Sequence, residues 1–150
     1  MMWLAWSLRR RLGRPVQVRR VQYRKRGWNS PGLDAVRDAD AALSRLRHDV
    51  GSDDLVLVGH SMGARVAVHL AGRHNVRGVV ALAPWWPSVS LAQTTWARDR
   101  GVDARWVGLP DAGHHLVREF SEWHRLTSEF VAQQLQVANI DAVNDEGPTQ

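Results

Sequence analysis

The sequence predicts an α/β protein: a mostly parallel sheet of about four strands with helices on both faces. Short apolar runs alternate along the chain with stretches of helical period, the order that βαβ units produce. Leu55-Val56-Leu57-Val58 is apolar without alternation and Val76 to Ala83 repeats that pattern apart from Arg77, as strands do when both of their faces are covered. The length of 150 residues, with 44 % hydrophobic and 23 % charged residues, suits one globular domain with a core of its own.

The elements follow in order. Residues 1–15 form a basic N-terminal segment in which Trp3 to Leu12 reads as the end of a helix. Val16 to Tyr23 is the first strand candidate, and its alternation slips between Val18 and Val21, which points to a bulge or a partly covered edge. After a loop at 26–32, Ser30 suits an N-cap and Pro31 the first helical position. Leu33, Val36, Ala39, Leu43, Leu46 and Val50 then recur at near-helical spacing, with Asp34, Asp38 and Asp40 early and Arg45, Arg47 and His48 late, as the helix dipole favours. The run 55–58 leads through a glycine-rich turn into a short helix, Ala64 to Ala71, ended by Gly72. The strand Val76 to Ala83 stops at Pro84, and a fourth strand is expected at Ala104 to Leu109. A turn at Asp111 to His115 precedes a long helix, Leu116 to Val137, with Phe120, Trp123, Leu126, Phe130 and Val131 toward the core. Residues 16–138 thus make the folded domain, and 139–150 a polar, acidic tail expected to be disordered.

Charge and cysteine content narrow the function classes. There is no cysteine, which excludes disulfides and thiolate metal sites and fits a cytoplasmic protein. No segment reads as a membrane span or an export signal. Of the net +5, residues 1–30 hold eight Arg and Lys25 with no acid, so the rest of the chain is net acidic. Such a segment can attach to phosphate-bearing surfaces through residues 9–26. Against nucleic acid stands the lack of aromatic residues alternating with the charges, since Trp3, Trp6, Tyr23 and Trp28 are in no such order. Nineteen of the twenty basic residues are Arg, so the run also fits a compositional bias on a solvated face.

The chemistry-bearing motif is Gly59-His60-Ser61-Met62-Gly63, directly after one buried strand and before an alanine-bearing helix. A serine on a sharp strand-to-helix turn has a strained backbone that lifts its Oγ above the sheet, and the residues two before and two after must be small where strand and helix approach. Gly59 and Gly63 supply that. Gly113-His114 lies in the loop between the last strand and the last helix.

Over roughly residues 16–137 these features resemble the α/β-hydrolase superfamily, with the Gly-His-Ser-Met-Gly nucleophile elbow as its specific part and the chain order Ser then His. The resemblance implies a shortened member in which Ser61 is the nucleophile, His114 the general base and the Met62 N–H an oxyanion donor. His115 is the alternative base; His114 is preferred because it directly follows Gly113, as the family's pattern has it. No cofactor and no metal are implied, and His48, His69, His74 and His124 read as surface or satisfied helix histidines. Trp85 and Trp86, past the end of a strand, either line an acyl pocket or cover the sheet end; Trp28 has the same two readings.

The chain departs from that pattern in places. Between Trp86 and Ala104 there is no apolar strand to carry a third triad residue, which leaves Asp99, read as helical, Asp103, at the start of a strand, and Asp111, read as a turn residue. No His-Gly motif precedes Val16 to supply a second oxyanion donor. Two functions are therefore expected: a serine hydrolase acting on a small-molecule carboxylic ester or thioester, or a catalytically degenerate hydrolase fold serving as a binding or structural module. Missing strands would also leave a sheet edge uncovered and open to self-association.

Overall fold

The computed structural model describes residues 2–25, 32–50, 54–73, 76–83, 107 and 120–137. Along the chain these form α1 (Met2–Leu12), α2 (Asp34–Val50), β1 (Leu55–His60), α3 (Met62–His69), β2 (Val76–Leu82) and α4 (Phe120–Leu135). β1 and β2 pair in parallel, from Leu55 opposite Val76 to His60 opposite Leu82, with an irregularity between Leu55 and Val56. Parallel neighbours need a crossover, and α3 is that crossover.

The two apolar runs behave as their composition requires. Val56 and Val58 pack toward one side, against Leu4, Leu8 and Leu12 of α1 and Trp123, Val131 and Ala132 of α4. Leu55 and Leu57 pack toward the other, against Ala35, Val36, Ala39 and Leu43 of α2, Val66 of α3 and Leu70 just after it. Successive strand residues thus point to opposite faces, and helices cover both. The α/β architecture with a parallel sheet is the one the sequence predicts. The basic N-terminal segment folds as α1 and gives its leucines to the core.

The expected first strand is the main departure. Residues 17–23 form no regular element and carry no ladder, so the described residues contain two strands, against the four expected. Side chains fasten the segment instead: Arg9 Nη2 donates to the Val18 carbonyl at 2.8 Å, and the Arg24 N–H donates to Asp38 Oδ2 at 2.8 Å. Val16 and Val18 still pack on the α1/α4 core, while Val21, beyond the slip in alternation, is 38 % exposed. Of the expected strand 104–109 only Val107 is described, and it is exposed. Among the described residues β1 is paired along one edge only.

Helix ends also shift. α2 begins at Asp34, not at Pro31, and the carbonyl of Leu33 (φ 47°) accepts the Val36 and Arg37 N–H groups at 2.9 and 3.1 Å. Ser30 and Pro31 lie outside the described residues. α3 starts two residues earlier than expected, directly after Ser61. α4 closes on Gln136 at φ 52°, where the Val137 N–H donates back to the Ala132 carbonyl at 3.0 Å, a left-handed cap of the kind usually given to glycine.

α4 is rotated from the expected orientation. Its buried face is Trp123, His124, Thr127, Ser128, Val131 and Ala132, whereas Phe120 is 44 % exposed and Leu126 and Phe130 are half-buried. Arg125 pairs with Glu122 at 2.7 Å and Glu129 at 2.6 Å on the solvent side, and Gly78 makes room for Phe130, whose Cε1 would lie 2.8 Å from a Cβ there. The buried hydroxyls turn inward on their own helix: Thr127 Oγ1 donates to the Trp123 carbonyl at 2.7 Å and Ser128 Oγ to that of Arg125 at 2.9 Å.

Candidate active site

Ser61 joins β1 to α3 at φ 52° and ψ −116°, a sparsely populated backbone conformation for a residue with a side chain. Three backbone hydrogen bonds hold it there. Its N–H donates to the Leu82 carbonyl at the end of β2 (2.9 Å), and its own carbonyl accepts the Ala64 and Arg65 N–H groups at 3.1 and 3.4 Å, which opens α3. The side chain makes no capping bond, although serine at a helix start commonly does. The hydroxyl is thus left unspent by the local structure. The N–H of Met62 finds no acceptor among the described residues and lies at the positive end of α3.

The two flanking glycines differ. A Cβ on Gly59 would overlap the Gly63 carbonyl and come within 2.6 Å of Ala64 N, so strand and helix touch backbone to backbone there. Among the described residues a Cβ on Gly63 would meet only the Tyr23 hydroxyl, at 3.8 Å, an ordinary contact. Among the described residues the crowding thus falls where a Gly59 side chain would point and on Gly63's backbone, not where a Gly63 side chain would point.

Other features of this end of the sheet have little signature in the sequence. Ala83, just after β2 and beside Ser61, stands at φ 40°, so two neighbouring chain exits are both left-handed without glycine. Tyr23 brings its phenol to the start of α3; burial, and next the Asp38 carboxylate, raise its pKa. Asp38 is buried and accepts both the Arg24 N–H and Arg24 Nε (2.6 Å), and these bonds hold its carboxyl below the usual range. The Tyr23 to Arg24 segment is thereby pinned to α2. An open groove lined by Arg24, Arg37, Asp38 and Arg45 runs beside it and does not include Ser61.

His114, His115, Trp28, Trp85 and Trp86 all fall outside the described residues, as do Asp99, Asp103 and Asp111. Of the histidines expected at the surface or satisfied on a helix, His48 and His69 are exposed, and His74 lies outside the described residues. His124 is the exception: it is 2 % exposed, its ring stacks 3.9 Å from that of Phe120, and its Nε2 has no hydrogen-bond partner. Burial, with Arg11 nearby, pushes its pKa down to about 4. Its place at i+1 from Trp123 hides it from any reading of the apolar stripe. Among the described residues no group of three His, Cys, Asp or Glu side chains could hold a metal, and no helix is long and apolar enough to cross a membrane.

A family model for the alpha/beta hydrolase family matches residues 1–145. The chain belongs to the alpha/beta hydrolase family. Searches of curated proteins and of solved structures returned no match. The family match starts at residue 1, ahead of the resemblance read at 16–137, and so takes in α1, whose leucines complete the hydrolase core against α4.

Proposed function

We propose that this alpha/beta hydrolase is a serine hydrolase acting on a small-molecule carboxylic ester or thioester. The observation that carries the reading is the backbone of Ser61, at φ 52° and ψ −116°, with its hydroxyl unspent in capping. A strained turn that does not use the side chain for capping is stability forgone unless that side chain has other work.

In this reading Ser61 Oγ attacks the acyl carbon while His114 takes its proton, and the Met62 N–H donates to the oxygen that becomes negative. The tetrahedral adduct collapses to acyl-Ser61, and the departing alcohol or thiol leaves with the proton held on His114. Water, giving a proton to His114, then attacks the acyl carbon, and the carboxylic acid is released as Ser61 is reprotonated. One oxyanion donor is worth about 10² to 10³ in turnover. Trp85, Trp86 and Trp28 are assigned to the walls of the acyl pocket.

A second reading, a binding or structural module on the same fold, is favoured by the lack of an apolar run in the sequence between Trp86 and Ala104 that would predict a strand carrying an orienting acid. That loss costs about 10⁴-fold in related triads. Turnover of 4-nitrophenyl esters and an acyl thioester by the full chain decides between them. Hydrolysis that disappears in Ser61→Ala and His114→Ala and survives in His115→Ala is expected; a folded wild type no faster than buffer on every substrate favours the module.

A further inference from the structure

The outward face of α1 is composed unlike any other described surface. At 3.6 residues per turn, Met2, Trp3, Trp6, Arg9 and Arg10 fall within an arc of about 120°. Met2, Trp3 and Trp6 are 69 %, 72 % and 57 % exposed, although Leu4, Ala5, Leu8 and Leu12 on the opposite arc are buried against the body of the protein. Packing thus fixes which way the helix is turned and leaves its tryptophans in water. The guanidinium of Arg10 lies over the Trp6 ring, 5.6 Å from its centre, and Arg14, Arg19 and Arg20 continue the exposed positive surface beyond the helix. No acid occurs before Asp34 in the sequence, and Asp34 is occupied by Lys25 at 2.8 Å.

We propose that this face docks on an anionic lipid surface. Charge complementarity names the partner's sign, and the tryptophans name its kind: indole rings settle where an apolar interior meets a wet, charged boundary, and arginines flanking them reach the phosphates. Nucleic acid would satisfy the arginines alone. Trp3 and Trp6 are interleaved with buried leucines, not with the charges, so they do not form a row of stacking platforms along a groove. Attachment is peripheral: α1 lies along the bilayer plane with the sheet and the other helices outside it.

The test uses the full chain with vesicles of phosphatidylcholine alone and of phosphatidylcholine mixed with phosphatidylglycerol, read by co-sedimentation. Binding to the anionic vesicles only, lost at about 1 M salt where the Debye length falls to about 3 Å, is expected. Arg10→Gln with Arg14→Gln lowers the partition coefficient about 25-fold, at about fivefold for each arginine near the surface. Trp3→Ala with Trp6→Ala lowers it about tenfold or more. All four side chains are exposed, so both variants keep the wild-type melting temperature. Equal binding to neutral and anionic vesicles, no binding at low salt, or anionic binding unchanged by the tryptophan pair would overturn the proposal. So would tighter binding to a DNA duplex that the tryptophan pair leaves unchanged.

Discussion

The α2/α3 layer buries Ala35, Ala39, Ala64 and Ala67 beside its larger apolar residues and brings main chain onto main chain where Gly59 meets Gly63, whereas α4 on the other side buries the polar His124, Thr127 and Ser128 beside Trp123 and Val131. Small residues let backbones touch, and touching backbones leave a turn no freedom; that is the layer which carries Ser61. The other layer buries polar side chains, and local hydrogen bonds satisfy Thr127 and Ser128 while His124 Nε2 has no partner among the described residues. The difference teaches where the fold has no slack and where it tolerates an imperfect fit.

The largest effect is expected at the tight contact. Gly59→Ala should cost about 3 kcal/mol or more in urea unfolding, because the added methyl meets main chain that cannot swing aside. Gly63→Ala, which among the described residues meets only the Tyr23 hydroxyl at 3.8 Å, should stay within about 1 kcal/mol of wild type in either direction. Equal losses would break the contrast.

A smaller effect belongs to the other layer and depends on pH. The ordinary value for the imidazole is 6.5 and that of His124 is about 4. Below pH 6.5 the unfolded chain therefore takes up a proton that the folded chain refuses, so stability falls as pH drops through this window and levels off beneath about 4. His124→Leu should remove that fall and melt roughly 4 °C or more above wild type at pH 5. Parallel melting curves for the two proteins between pH 7 and pH 5 would contradict the unpartnered ring.

The smallest effect is at Asp38, on the well-packed side. The two Arg24 bonds lower its pKa, so their stabilisation is complete above the unfolded value near 4 and is lost as pH falls through the folded one. Asp38→Asn should lower the melting temperature at neutral pH and converge with wild type in acid. A gap that widens in acid would show that the pairing is not what pins residues 23 and 24.

What the sequence made legible follows from how locally each feature is determined. Leu55 to Val58 announces a strand covered on both sides because no polar residue interrupts it, and the turn at Ser61 is legible because Gly59 is needed where it stands. Val16 to Tyr23 has the composition of a strand, but pairing needs a neighbour, and composition cannot show that Arg9 and Asp38 would fasten the segment instead. The buried face of α4 is only partly legible for a similar reason: Phe120 and Leu126 fit the helical period as well as Val131 does, and the period alone does not say that His124 and Ser128 are buried in their place. Ala83 and Gln136 take left-handed backbones that a reading by glycine does not find.

The central claim is that Ser61 is an activated nucleophile, and the most direct test is labelling of the folded protein by a fluorophosphonate, read by intact mass and peptide mapping. One adduct, on Ser61, absent from Ser61→Ala and strongly slowed in His114→Ala, is the predicted result. A folded wild type that takes up no label, or label that persists in Ser61→Ala, would contradict it.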